Sequence, residues 1–311
     1  MGITIVKPGI QCSIQDLGRW GHQQFGVPIG GVMDRQSACT ANRLCGNADG
    51  EALLECTLHG TVITCDETVT FALSGGGARA VVNGSVVDYN RPIRMVAGSQ
   101  LQLMPDPHGC RTYIAVVGGL QVPLELGSVS TYQPSRIGGL DGQPLAAGQF
   151  VPLKSSGDLL PGGRDIVIRE DGFGMGNWKA QVQSMPHVNE TVMLACESGP
   201  EWDWFDDSTQ KDFTGETYTI STQSNRMGYR LEGPPLSLRE KKELVSTAVT
   251  RGIVQLTHEG RPIVLMADAQ TIGGYPRIAR LTSQSIDLLA QCRPGTKIQF
   301  REFGDEESVI H

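Results

Sequence analysis

Apolar and polar positions change over in short spans along most of the chain. The runs "TVITC" (61–65), "TVTFALS" (68–74), "ARAVVNGSVV" (78–87), "RTYIAVVGG" (111–119), "DIVIRED" (165–171), "TVMLACE" (191–197), "TYTIST" (217–222), "GIVQLT" (252–257), "PIVLMAD" (262–268) and "KIQFREF" (297–303) are rich in Val, Ile and Thr. Between them glycine recurs, as in "SGGG", "VGG", "IGG" and "IGGY". Short strands at regular spacing, separated by turn signals, predict a mostly β chain built as a sandwich or barrel. Helical signals are few. Asp34 is placed to cap "RQSACTANRLC", where Ala38, Ala41 and Cys45 share a face and Gly46 stops the helix. Thr282 or Ser283 is placed to cap "QSIDLLAQC", and "LREKKELVS" offers at most two turns.

One pattern is written twice. "QDLGRWGHQQFGVP" (15–28) and "QSNRMGYRLEGPP" (223–235) share R-x-G-[HY]-x-x-x-G-x-P, with Arg226 on Arg19 and Tyr229 on His22. A second echo lays "LECTLHGTVI" (54–63) on "VQLTHEGRPI" (254–263), with Gly60 on Gly260. A repeat of supersecondary units explains both, and chance matching of Gly and Pro is the alternative. The polar, glycine-punctuated stretch "KSSGDLLPGG" (154–163) falls near the middle, so two pseudo-repeated β halves are expected at 1–153 and 164–311.

Composition narrows the function classes. A net charge of −7 argues against a nucleic-acid partner, which needs a basic stripe. Nineteen of the 26 basic residues are Arg, the residue suited to fixed planar contacts with carboxylates and phosphates. Apolar runs such as "IVLMA" (263–267) are far short of the ~20 residues of a membrane helix. "MGITIVKPGI" has neither a long apolar core nor a small-residue cleavage site, so no signal peptide and a cytoplasmic location are expected. The eight cysteines form no C-x-x-C pair and have no His at ligand spacing, so free buried thiols and no metal site are expected.

Several familiar chemistries have no motif here. There is no G-x-x-x-x-G-K-[ST], no H-E-x-x-H and no G-x-S-x-G. "SGGGAR" (74–79) reads more readily as a barrel corner than as a phosphate cradle. No Met-Lys-Met is present, so no covalent biotin of that kind is expected on this chain. What remains are two polar clusters after apolar strands. "MADAQTIGGYPRIA" (266–279) gathers Asp268, Gln270, Thr271, Tyr275 and Arg277, while "LGSVSTYQPSRIGG" (126–139) gathers Ser130, Thr131, Tyr132 and Arg136. Loops held on a rigid scaffold present sites in this way, although a polar hairpin surface would look the same.

The stretches "QDLGRWGHQQFGVPIGGVMDRQSACTANRLCGN", "YIAVVGGLQVPLELGSVSTY", "IGGLDGQPLAAGQ", "SNRMGYRLEG" and "GRPIVLMADAQTIGGYPRIA" resemble the allophanate hydrolase subunit 2 family. This is also called the biotin-dependent carboxyltransferase family. The resemblance implies a cyclophilin-like β-barrel architecture, with the halves either separate or intertwined as one carboxyltransferase-type unit. "SGPEWDWFD", "QSNRMGYRLEG" and "ADAQTIGGYP" look most like the members that serve bacterial ATP-dependent 5-oxoprolinase. That implies cleavage of 5-oxo-L-proline to L-glutamate with ATP hydrolysis, in a heteromer with the A and B subunits of that enzyme; with no P-loop on this chain, ATP is expected to be bound largely with partner subunits. Two other implied roles stay open. One is the carboxyltransferase part of a urea-carboxylase-like biotin enzyme. The other is a non-catalytic regulator that binds a kinase-inhibitor-type homologue of the B-type partner. On the 5-oxoprolinase expectation, Asp268, Asp34, Arg226 and Tyr229 are the catalytic candidates. Arg19, Thr131, Tyr132, Arg136, Gln255, Gln270, Thr271, Tyr275 and Arg277 are the substrate-binding candidates.

Overall fold

The computed structural model describes residues 1–155, 160, 165–239 and 244–304. They form two compact units, Met1–Arg19 with Gly30–Met185, and Trp20–Ile29 with Pro186–His311. Most of the 154–163 break, and the centre of "LREKKELVS", lie outside the described residues. The observed division falls after Met185, further along than the 153/164 expectation, because the strand Phe173–Met175 pairs antiparallel with Pro92–Met95 of the first unit.

The first unit stacks two six-stranded sheets. One runs Phe150–Pro152, Gly2–Pro8, Thr61–Cys65, Gln100–Pro105, Ala78–Val82, Ser85–Val86. The other runs Phe173–Met175, Pro92–Met95, Val69–Gly75, Arg111–Val116, Leu53–Thr57, Gln11–Gln15. Side chains of both sheets, among them Ile5, Ile63, Leu73, Ile114 and Leu54, meet in one core. The runs "TFALS" and "TYIAVV" read as continuously apolar because both faces of their sheet are covered. Phe71, Leu73, Ile114 and Val116 enter the inter-sheet core, and Ala72, Tyr113 and Ala115 enter a second core with Ala38, Ala41 and Cys45. That second core is the apolar stripe of helix α1 (Arg35–Leu44) packed on the outer face.

The second unit contains a closed barrel of seven strands in the order Thr191–Ser198, Arg277–Leu281, Ile253–Leu256, Pro262–Leu265, Gly228–Glu232, Thr217–Ile220, Lys297–Glu302. Four of its strands alternate, with Val192, Leu194, Tyr218, Tyr229, Leu231, Ile298 and Phe300 buried, while Ile253–Leu256 is buried throughout. Helix α2 (Asp207–Gly215) is capped by Asp206 and stacks Phe213 on Phe300 at 4.4 Å between ring centroids. Helix α3 (Ser283–Ala290) is capped by Thr282 and buries Ile286 and Leu289.

Two expectations from the pattern change. "DIVIRED" is not a strand: Asp165 pairs with Arg94 at 2.6 Å, Val167 is exposed, and the Arg169 N–H donates to Phe173 O to close a bend. The first echo does not fold alike in its two copies. After Arg19 the chain makes a 3-10 turn, Gln23–Phe25, closed by Gly26 at φ 79°. After Arg226 it makes the strand Gly228–Glu232. The second echo matches better, since Gly60 (φ 95°) and Gly260 (φ 76°) each turn the chain between two strands. Yet Leu53–Thr57 and Thr61–Cys65 go to different sheets, whereas Ile253–Leu256 and Pro262–Leu265 pair as a hairpin. All eight cysteines are free and buried.

Candidate functional site

The strand Pro262–Leu265 is apolar, and beyond it the chain stays buried as far as Ala269. The ladder that pairs Gly228 with Leu265 is extended by two further bonds, Met266 N–H to Met227 O and Asp268 N–H to Arg226 O. This brings the Arg226 and Asp268 side chains together as a bidentate pair, Nε to Oδ2 at 2.8 Å and Nη2 to Oδ1 at 3.0 Å. Both are about nine-tenths buried, so each charge is neutralised where water cannot do it.

The chain then crosses Gln255. Ile272–Gly273 pairs with Thr247–Ala248, and the Gln255 amide, itself buried, donates to Tyr275 O at 3.2 Å. Gly273 has an ordinary φ, so it is not there to make a sharp turn. A Cβ at this position would lie 2.6 Å from Gln255 Nε2, and close approach is what requires glycine. The segment ends at Arg277, gripped by Glu201. Arg277 N–H and Nε donate to Oε2 at 3.0 and 2.7 Å, and Nη2 donates to Oε1 at 2.6 Å. Burial works to raise the Glu201 carboxyl, but the hydrogen bonds and charge of Arg277 outweigh it and hold the group below the usual carboxylate range. Gln270 is exposed, and Thr271 and Tyr275 are half-buried.

Beside this segment a groove of about 400 Å³ runs along the barrel wall. Tyr275 lines it together with Arg230, Glu232, Thr257 and His258. Tyr229, expected among the catalytic groups, points the other way. Strand alternation turns it into the barrel, where its hydroxyl lies 3.5 Å from Cys292 O, and turns Arg230 and Glu232 outward.

The remaining expected site residues belong to the first unit. Asp34 caps α1, accepting from Ser37 N–H at 2.9 Å on Oδ1 and from Ser37 Oγ at 2.5 Å on Oδ2. Arg19 is fully buried and donates to Ser130 O at 2.5 Å. Thr131 Oγ1 donates to Ile14 O at 2.9 Å. Tyr132 leads into a 3-10 turn, Gln133–Ser135, that Arg136 closes in the left-handed region, φ 54°, on the surface. Asp16 staples this loop by accepting from Ser128 Oγ, Ser130 Oγ and Val129 N–H at 2.5–2.8 Å.

Sequence reasoning missed Glu201, Asp16, Arg230 and His258. Asp16 sits inside the echoed motif and Arg230 beside the chosen Tyr229, so a strand register for residues 228–232 would have found the latter. The glycine corner does not fit a phosphate, because the Gly76 and Gly77 N–H groups already donate to Arg111 O and His108 O.

Residues 25–302 match the family model described as carboxyltransferase domain, subdomain A and B. The chain is 36% identical to the 5-oxoprolinase C subunit of Escherichia coli (strain K12), over 99% of this chain and 93% of that protein. Among solved structures, Kluyveromyces lactis urea carboxylase is similar at a TM-score of 0.87 and 26% identity, over 97% of this chain and 27% of that one. The TTHA0988 structure is similar at 0.81 and 30%, over 96% of this chain and 56% of that one. The chain thus spans about half of TTHA0988 and about a quarter of the urea carboxylase.

Proposed function

The chain belongs to the carboxyltransferase family of subdomains A and B, and from that membership we propose that it is one subunit of an ATP-dependent 5-oxoprolinase. In this reading it works with the A and B subunits of that enzyme to cleave 5-oxo-L-proline to L-glutamate. The observation that carries the reading is the match to the E. coli protein, which runs across nearly all of both chains.

A five-membered lactam resists water because amide resonance must be lost. ATP supplies a phosphoryl group that makes the lactam carbon a better electrophile. With no phosphate-binding loop motif in the sequence, and the Gly76 and Gly77 N–H groups donating to Arg111 O and His108 O, ATP is assigned in this reading chiefly to the partner subunits. This chain's contribution is positioning and charge. The Arg226–Asp268 and Glu201–Arg277 pairs pin both ends of the 268–277 segment. Gln270, Thr271 and Tyr275 are then held where they can meet a small polar ligand. Arg136, exposed on its turn, is retained as a substrate or partner contact, while Arg19, Thr131 and Tyr132 fix its loop. Release of glutamate from 5-oxo-L-proline and ATP by the co-purified complex tests the reading. The likeness to urea carboxylase supports a second one, transfer of a carboxyl group from a biotin carried elsewhere. Biotin-dependent carboxylation without ring opening would favour it.

A further inference from the structure

The groove on the barrel wall is built from fixed backbone and uncommitted side chains. Arg230 N–H donates to Ser224 Oγ at 3.1 Å, and Arg230 O accepts from Ser221 N–H at 2.9 Å. The opposite wall is the turn Thr257–Arg261, closed by Thr257 Oγ1, which donates to Arg261 O at 3.2 Å and accepts from Arg261 N–H at 3.1 Å. Gly260 seals it: a Cβ there would lie 2.4 Å from Leu236 O. The third wall is Tyr275, whose carbonyl is held by the buried Gln255 and whose ring meets His258 edge-on at 5.2 Å. Ile263, paired with Arg230, and Pro262 line the floor.

The polar tips above this frame have little to bind within the protein. Among the described residues, the Arg230 guanidinium, the Glu232 carboxylate and the Tyr275 hydroxyl make no hydrogen bond or ion pair. Arg261, by contrast, is engaged by Glu259 at 3.7 Å. Arg230 and Glu232 project from one face of the same strand, roughly 7 Å apart by strand geometry. The groove therefore offers one uncommitted cation, one uncommitted carboxylate and neutral donors, in a volume at the lower end of the range for small-molecule sites.

The geometry points to a binding site for a small carboxylic acid that carries an N–H beside its carboxyl-bearing carbon. Arg230 takes the carboxylate in its planar fork. Glu232 accepts the N–H, and Tyr275 or His258 donates to a ring carbonyl. A polyphosphate is disfavoured, because Glu232 and Glu259 line the same groove and would repel it. The shared chemistry fits a lactam acid or a free amino acid, and the carbonyl donors favour the lactam. The choice of 5-oxo-L-proline as ligand rests on the proposed function.

The test is calorimetric titration of 5-oxo-L-proline, L-proline and L-glutamate into the full chain, alone and in its co-purified complex. Wild type, Arg230→Ala, Arg230→Lys and Tyr275→Phe are compared, with glutamate formation by the complexes read in parallel. Arg230 is exposed and Tyr275 half-buried, so these variants should fold. The site predicts that 5-oxo-L-proline binds wild type, binds Arg230→Ala at least tenfold more weakly, and is partly restored by Arg230→Lys. Equal binding to Arg230→Ala, or no binding to wild type in either form, overturns it. Tighter binding of L-proline than of the lactam overturns the lactam assignment. A complex whose KM is unchanged in Arg230→Ala overturns this site and leaves the proposed function standing. A wild-type complex that binds 5-oxo-L-proline through Arg230 yet releases no glutamate supports the site and overturns the proposed function.

Discussion

Glu201 and Asp268 each hold an arginine with both carboxylate oxygens, and each can be removed without changing side-chain size. Because the folded-state value of Glu201 lies below the ordinary carboxylate value of about 4.3, its pair with Arg277 contributes stability that is full above that value. The contribution is lost as pH falls through the lower folded value. Thermal melts of wild type and Glu201→Gln at pH 6 and pH 3 should therefore show a gap at pH 6 that narrows at pH 3. A gap independent of pH would show that the pair does not titrate with folding. Asp268→Asn removes the charge opposite the Arg226 guanidinium, which is about nine-tenths buried, and should lower unfolding stability by about 3 kcal/mol, read from the urea midpoint. An unchanged midpoint with a hundredfold loss of complex activity would instead make Asp268 a direct participant. At this scale the direction of the side chains was not read from the sequence. Tyr229 looked like the chemical residue beside Arg226, but alternation in a strand sends Tyr229 into the barrel and Arg230 out.

Locally determined elements were legible in the sequence. The Asp34 cap with its Gly46 stop, and the Thr282 cap, follow from backbone groups a few residues away, and both appear as expected. Asp34→Ala should cost about 1 kcal/mol in stability and leave activity of the complex unchanged, and Asp34→Asn should recover most of the loss. A collapse of activity with stability intact would return Asp34 to the catalytic candidates. Helix α2 was not legible, because "DSTQKDFTG" buries only Thr209 and Phe213 and so carries almost no apolar stripe. "DIVIRED" failed in the opposite sense: its β-prone residues have a bend and an ion pair to serve rather than a partner strand. Glu201 was hidden because its role depends on meeting Arg277, 76 residues away in sequence.

Across the whole molecule, the mostly β character and the family could be read from strand punctuation and long shared motifs. The division of the chain could not. Residues 20–29 join the second unit and residues 165–185 the first, and such non-local membership leaves no mark in local composition. A chain that is a working part of a three-subunit 5-oxoprolinase, as proposed, must be needed for turnover. The most direct measurement is an omission assay, in which purified homologues of the A and B subunits are supplied with 5-oxo-L-proline and ATP, with and without this chain. Glutamate formation should fall at least a hundredfold when the chain is left out. Equal glutamate formation with and without it, or none when all three are present, would show that the chain is not a working subunit of such an enzyme.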